Sequence, residues 1–251
     1  MKKKVTATIM DVQQIALDTV EMTLENSYIA ETAIPGQFLH ISVDGHTLRR
    51  PISIASIDRE QRTVTILFKK VGDGTSRLAT YQEGMSLSAL GPSGNGFHYD
   101  ASTLKSVLLV GGGIGVPPLY NLAIELKQRG IEVISVLGFQ SRDYVFYEDK
   151  FREIGRTIVV TDDGSYGQQG FVTDQLPDTS TYDYYFTCGP IPMLRAITGK
   201  LHEKPGSISL EERMGCGVGA CFACVIPADN EDGYRKICKD GPVFGANEVI
   251  I

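Results

Sequence analysis

No run of apolar residues in this sequence approaches the ~20 that a bilayer-spanning helix needs. There is no basic surplus either: 24 Lys and Arg stand against 30 Asp and Glu, a formal charge of −6. The first absence argues against a membrane protein and the second against a nucleic-acid partner. The basic start, Met1-Lys2-Lys3-Lys4-Val5, is followed by alternating residues rather than the continuous apolar stretch of an export signal. A cytoplasmic, reducing compartment is therefore expected. Internal repeats and low-complexity segments are lacking. The four histidines, at 40, 46, 98 and 202, have no metal-ligand spacing.

What is present is the length of more than one compact unit, 251 residues, and a change of pattern along it. Stretches 4–16, 19–24, 36–43, 52–57 and 63–69 are rich in Val, Ile and Thr and partly alternate. Turn residues at Pro35-Gly36, Asp44-Gly45 and Gly72-Asp73-Gly74 separate them. An antiparallel β-barrel with a short helix near 76–81 is expected. After Ser93-Gly94-Asn95-Gly96, strands at 107–110, 132–139, 157–161 and 182–187 alternate with helices at 118–129, 147–154, 171–176 and 191–201. That order predicts a doubly wound parallel sheet. From about Pro205 the chain becomes Gly- and Cys-rich. The expected units are 1–98, 99–204 and a small C-terminal one, 205–251: a β plus α/β protein.

Four of the five cysteines fall in that last unit as Cys216-x4-Cys221-x2-Cys224-x13-Cys238. A [2Fe–2S] diamond needs four thiolates, and x4 then x2 with a distant fourth is the plant-type ferredoxin spacing. Gly215, Gly217 and Gly219 suit a loop that wraps a cluster closely. Structural zinc usually takes two tight C-x2-C pairs, and the second pair is missing here. The fifth, Cys188, reads by default as a small buried hydrophobe.

Gly111-Gly112-Gly113-Ile114-Gly115 follows one predicted strand and opens the helix that starts at Pro118. Such glycines let a pyrophosphate approach the positive end of a helix, although a plain tight turn would look the same. A proline replaces the later glycine of the usual fingerprint, and the next strand ends in Gln140-Ser141 without the ribose-binding acid. Arg50-Pro51-Ile52-Ser53 offers a phosphate-pairing guanidinium and a hydroxyl for a flavin, and Gly72-Asp73-Gly74-Thr75-Ser76 offers backbone N–H groups for a pyrophosphate. Either fragment alone is also an ordinary hairpin turn or helix cap.

Together these motifs resemble the ferredoxin–NADP reductase superfamily, over essentially the whole chain. In that superfamily an Arg-x-x-Ser and a Gly-x-Gly-(Ser/Thr) hold FAD. A Gly-rich loop and a Cys-Gly-Pro-x-Pro-Met segment, here Cys188-Gly189-Pro190-Ile191-Pro192-Met193, hold the nicotinamide cofactor. With the cysteine segment at the C-terminal side, and with Gly138-Phe139-Gln140-Ser141-Arg142-Asp143, the chain is similar to the electron-transfer subunits of class 1B dihydroorotate dehydrogenases. The resemblance implies FAD on Arg50, Pro51, Ile52, Ser53, Leu67, Phe68, Lys69, Gly74 and Thr75. It implies exchangeable NAD(H) on Gly112, Gly113, Gly115, Cys188, Gly189 and Pro190. The cluster falls on Cys216, Cys221, Cys224 and Cys238. No acid–base catalytic residue is expected in this chain. Many superfamily members have an aromatic residue between the Arg and Ser of the flavin motif, where Pro51 and Ile52 stand here.

The implied path joins NAD(H), FAD, the cluster and the FMN of a partner catalytic subunit, in a heterotetramer of two plus two chains that oxidises dihydroorotate in pyrimidine biosynthesis. Two other readings stay open at this point: a diaphorase-type subunit of a hydrogenase, sulfhydrogenase or ferredoxin:NADP oxidoreductase, and, from a different class, a zinc-stabilised nucleotide-binding protein. The choice between NAD and NADP is also open, since Ser141-Arg142 lies near where a 2′-phosphate would be read.

Overall fold

The computed structural model describes residues 2–251. Six strands close an antiparallel barrel in the order β1-β2-β5-β4-β3-β6. They are β1 (Lys3–Ala16), β2 (Thr19–Glu25), β3 (Phe38–Ile41), β4 (Arg50–Asp58), β5 (Thr63–Lys69) and β6 (Ser86–Ser93). Alternation sends Ile9, Met22, Leu24, Leu39, Ile41, Ile54 and Ile66 inside, where all are fully buried. Closure removes free edges from this half of the molecule. Two short helices accompany the barrel, α1 (Ser27–Thr32) and α2 (Asp73–Leu78). α1 begins where the Asn26 side chain accepts a hydrogen bond from Ile29 N at 2.9 Å.

The second sheet has seven strands in the order β10-β9-β8-β7-β11-β12-β15. In chain order they are β7 (Ser106–Gly112), β8 (Glu132–Phe139), β9 (Arg156–Thr161), β10 (Gln168–Gln169), β11 (Tyr184–Cys188), β12 (Gly206–Ser209) and β15 (Val243–Gly245). All pairings are parallel except that of β15 with β12. Val107–Val110 are fully buried, which explains a continuous apolar run in place of alternation: both faces of a central parallel strand are covered. The helices are α3 (Val116–Gln128), α4 (Glu148–Arg152) and α5 (Ile191–Lys200). The two small strands β13 (Val225–Pro227) and β14 (Tyr234–Lys236) form a hairpin, and α6 (Ile237–Asp240) follows it.

The barrel and the α/β sheet share a core. Ala55 and Leu67 of the barrel pack in one cluster with Val116, Leu119 and Tyr147. Across the same junction the Tyr147 hydroxyl donates to Glu21, and Lys150 pairs with Glu21 at 3.3 Å. A third cluster joins Phe38 of β3 to Met214, Cys224, Cys238 and Phe244.

Several elements differ from the sequence expectation. Helix 118–129 starts two residues earlier, at Val116, because Pro117 and Pro118 occupy the first turn, where no backbone N–H is needed. Helix 171–176 is only a single 3-10 turn, Val172–Gln175. α1 and β6 lie in stretches with no expected element. β12 and β15, in the Gly- and Cys-rich tail, are strands of the parallel-sheet layer.

Candidate functional site

In the α/β sheet β7 is central. The chain leaves it through α3 to β8 on one side, while β11 joins it on the other. Loops at the carboxyl ends of β7 and β11 therefore part in opposite directions and open a crevice at this switch point. Gly111 pairs in register with Cys188, which sets the two glycine loops side by side. A Cβ on Gly112 would sit 2.5 Å from Met193 Sδ. One on Gly115 would strike the Cys188 carbonyl and come within 2.6 Å of Gly189 N. Only hydrogens allow this approach.

A cavity of about 690 Å³ opens here. Among the residues expected from sequence, Gly112, Gly113, Gly189, Pro190 and Lys69 line it. Gly115 serves instead as the packing point just described. Cys188 turns inward: its thiol is fully buried, and burial pushes its pKa up, with Glu211 adding to the rise and a Ser209 hydrogen bond opposing it. Its contribution to the crevice is through the backbone.

The lining also contains residues that the sequence reading did not assign. Phe139, Tyr144, Phe146 and Phe171 make the lining partly aromatic. Tyr144 is held by the Lys69 ammonium, 4.2 Å from its ring centre. Asp162 follows β9 at the cavity, its pKa raised by burial and by Asp163. Glu211 retains accessible surface because it lines the cavity. Protein packed around its carboxyl nevertheless disfavours the charged form and raises its pKa to about 6. A carboxylate two residues after a strand at the carboxyl end of a parallel sheet was the available signal for Glu211, and the missed strand β12 hid it.

Arg142, left open as a reader of a 2′-phosphate, has its guanidinium over the Tyr166 ring at 5.3 Å, and its backbone N–H bonds Ser165 Oγ at 2.8 Å.

The Arg50–Ser53 strand forms a second place. The β4–β5 ladder runs from Asp58 with Thr63 to Ile54 with Ile66 and stops. Beyond it Arg50–Ile52 and Ser53 pair with β3 instead, so Leu67–Lys69 face the departing strand across a gap. Ile52 points into the barrel core, while Arg50, Pro51 and Ser53 stay half-buried. The Arg50 guanidinium lies against Gly74, where a Cβ would sit 2.5 Å from Arg50 Cζ. It also bonds the Leu48 carbonyl at 2.5 Å. Thr75 Oγ1 accepts from Val71 N at 3.0 Å, which fixes the turn into α2. Leu67 and Phe68 bury their side chains in the two neighbouring cores. Their backbone is what the gap offers. A guanidinium beside the first turn of α2 and a half-buried hydroxyl on the departing strand suit a flavin dinucleotide.

The cysteine loop is the third place. Cys216 Sγ accepts from Val218 N at 3.4 Å and Cys221 N at 3.3 Å, Cys221 Sγ from Cys216 N at 3.5 Å, and Cys238 Sγ from Gly219 N at 3.2 Å. Cys216 and Cys221 each accept from the other's backbone N–H, and Cys224 and Cys216 act on Cys238 as nearby negative groups. Burial pushes Cys216 up, but the backbone N–H groups outweigh it and bring the thiol to about 6; Cys238 is pushed up to about 12 by burial and by Cys224. Among the described residues no three metal-ligating side chains meet at one point. Four cysteines at this spacing, three of them accepting from backbone N–H groups, suit a [2Fe–2S] cluster better than one tetrahedral zinc.

His40 lies between the second and third places. It leaves the barrel on the same face of β3 as Phe38 and is fully buried, and its ring packs on Gly217, where a Cβ would overlap Nδ1 and approach Cε1 to 2.8 Å. Gly217 has φ +69. Neither His40 nitrogen has a hydrogen-bond partner. Burial first, then the charge of Arg49, lowers its pKa to about 4; the nearby Arg49 carbonyl opposes the shift, and Lys2 and Arg50 add to it. The imidazole is neutral at pH 7.

Among characterised proteins, the iron–sulfur cluster binding domain of dihydroorotate dehydrogenase B matches residues 211–250. The chain is 49% identical to the electron transfer subunit of dihydroorotate dehydrogenase B (NAD(+)) from Shouchella clausii, covering 100% of this chain and 99% of that one. It is 48% identical to the protein of that name from Fusobacterium nucleatum, covering 97% of each. Among solved structures, an NADH-dependent reduced ferredoxin–NADP oxidoreductase superposes with a TM-score of 0.87 at 31% identity, over 97% of this chain and 89% of that one. The ferredoxin NADP+ reductase of Neisseria gonorrhoeae, solved with FAD and NADP, shares the fold at 17% identity and a TM-score of 0.68, over 80% of this chain and 92% of that one.

Proposed function

The chain belongs to the electron transfer subunits of dihydroorotate dehydrogenase B, and from that premise we propose which of its residues hold each redox group and what they do. It is an oxidoreductase subunit that relays electrons between NAD(H) and a catalytic partner by way of FAD and a [2Fe–2S] cluster, in pyrimidine biosynthesis. The diaphorase-type alternative is not favoured, since the full-length relatives at 49% identity carry the dihydroorotate dehydrogenase name.

Each unit takes one group: FAD the barrel, 1–98; NAD(H) the α/β unit, 99–204; the cluster the tail, 205–251. Arg50 pairs with a phosphate of FAD, Ser53 hydrogen-bonds the ring system, and Gly74 and Thr75 present the start of α2 to the pyrophosphate. Pro51, Ile52 and the backbone of Leu67–Lys69 shape the groove. Gly112 and Gly113 bring the NAD pyrophosphate to the N-terminus of α3, a 13-residue helix. Gly115 holds that loop against Cys188-Gly189-Pro190, which faces the nicotinamide end. Bound FAD supplies the exchange between the two-electron hydride of NAD(H) and the single electrons of the cluster. The aromatic residues of the lining exclude water from the crevice, and Glu211 sets its charge. Cys216, Cys221, Cys224 and Cys238 would hold the cluster, and the loop N–H groups direct positive dipole at the sulfurs. The four cysteines at ferredoxin spacing, in a loop that turns backbone N–H groups onto their sulfurs, carry the reading.

The partner is a catalytic subunit that contains FMN, in an assembly of two plus two chains. The location we propose is cytoplasmic; among the described residues no helix is long and apolar enough to cross a membrane. Affinity purification from cells, with a visible spectrum and a dihydroorotate:NAD+ assay, tests the proposal. Flavin and iron–sulfur bands, a co-eluting FMN protein and activity are expected. The purified chain alone is expected to reduce artificial acceptors with NADH and to form no orotate. Colourless protein, or orotate formation by the chain alone, would refute it.

A further inference from the structure

His40 is the one side chain among the described residues whose two polar atoms are both buried and both without a partner. Leaving a buried donor or acceptor unpaired costs about 1–3 kcal/mol. Native proteins rarely accept that twice on one ring, so a group that is not part of the polypeptide is the natural partner. The surroundings say which kind. Arg49, Lys2 and Arg50 all act on the ring as positive charges. None of these cations can accept a hydrogen bond from the ring. What the protein does not offer is an acceptor with negative charge for the nitrogen that donates. The Arg49 carbonyl is near the ring without hydrogen-bond geometry, and it could serve only one nitrogen.

The direction is fixed by Gly217. The ring edge carrying Nδ1 is the edge packed on this residue, next in sequence to Cys216, and any side chain there would displace it. Lys2 ties the same loop down, its ammonium donating to the carbonyls of Cys238 at 2.8 Å and Gly217 at 3.3 Å. The loop is thus clamped onto the imidazole from the barrel side. A cluster held by four thiolates has net negative charge on its sulfurs, and N–H donors to those sulfurs raise its reduction potential.

We propose that His40 is a hydrogen-bond donor to the iron–sulfur centre, with its Nδ1–H directed from the barrel at a cluster sulfur on the Gly217 side, where it makes the centre easier to reduce. This rests on the cluster assignment above. It makes the barrel strand next to the flavin motif part of the cluster's immediate surroundings, through His40 opposite Pro51 in the β3–β4 register.

The test uses the full chain with FAD and cluster loaded. Protein labelled with 15N-histidine is reduced and studied by pulsed EPR, and potentials of cluster and flavin are titrated in wild type, His40→Leu and His40→Asn. Wild type should show a histidine nitrogen coupled to the reduced cluster, and both variants should lose it. His40→Leu should reduce its cluster with an equilibrium constant about tenfold lower, 59 mV for a one-electron couple. The flavin potential should stay put, and His40→Asn, which keeps a donor, should recover part of the shift. A wild-type cluster with no histidine coupling overturns the proposal, and does so even where His40→Leu fails to load a cluster. An unmoved cluster potential in a loaded His40→Leu overturns it too, as does a shift confined to the flavin. Wild-type protein without any iron–sulfur spectrum would instead refute the functional reading from which the proposal starts.

Discussion

Replacing Gly115 by alanine places one methyl group where the structure has backbone. The new Cβ would strike the carbonyl of Cys188 and lie 2.6 Å from Gly189 N. Gly115 has φ −77, a value any residue adopts, so the effect is purely steric. None of the struck atoms belongs to a flexible side chain. Relief requires the start of α3 to move away from the β11 loop, and overpacking of this kind costs about 1–3 kcal/mol. The two loops are the walls of the nicotinamide crevice, so the displacement falls on NAD(H). With RT at about 0.59 kcal/mol, the full range corresponds to a roughly 5- to 150-fold rise in KM for NADH. The iron–sulfur spectrum should be unchanged, because the cysteine loop is elsewhere, while FAD content reports how far movement of Val116 reaches Leu67 in their shared core. Steady-state reduction of an artificial acceptor across NADH concentrations, with Tm from a thermal scan, measures both quantities. An unchanged KM together with an unchanged Tm would refute the reasoning, since strain must appear in one of them.

The other expectations concern the remaining sites. Gly74→Ala should drive a Cβ into the Arg50 guanidinium and lower FAD occupancy in purified protein, read from the flavin absorbance per chain; full occupancy would disconnect Arg50 from FAD. Cys238→Ser should abolish the iron–sulfur EPR signal while FAD and NADH-driven flavin reduction persist, and a retained signal would remove Cys238 from the ligand set. Glu211 has its folded pKa raised to about 6 by burial. Its protonated form is thus favoured by folding: that contribution is complete below the ordinary glutamate value of about 4.3 and is lost as pH rises through 6. Glu211→Gln should match wild type in Tm at low pH, exceed it increasingly through pH 6, and flatten any inflection near pH 6 in NADH-linked activity. Parallel Tm curves would refute this sign.

Much of the chemistry was legible because it depends on spacing along short segments. Cys216, Cys221 and Cys224 lie within nine residues, and the glycine loop sits between a strand and its helix. The crevice wall was not legible in that way. Phe139, Asp162, Phe171 and Glu211 come from four separate strand ends, and only the sheet order brings them together. Local pattern also failed at β12, where Gly206–Ser209 is four residues long and Ile208 is its one apolar side chain. Its place is set by pairing with β11 and β15. α1 has only Asn26 as a signal, and a six-residue helix shows too little of the 3.6-residue period to be recognised. His40 looked unremarkable because its meaning depends on Gly217, far away in the chain.

β15 returns from the cysteine segment to lie antiparallel against β12, and Asn95 bridges to Pro242 beside it. The tail therefore covers what would be an open edge of the nucleotide sheet. A protein cut between β12 and the cysteines would expose the N–H and C=O row of β12, a ready template for another chain. Attempts to simplify this molecule into a cluster-free flavin reductase by truncation would for that reason yield aggregates, whereas substitution of the cysteines would leave the sheet closed.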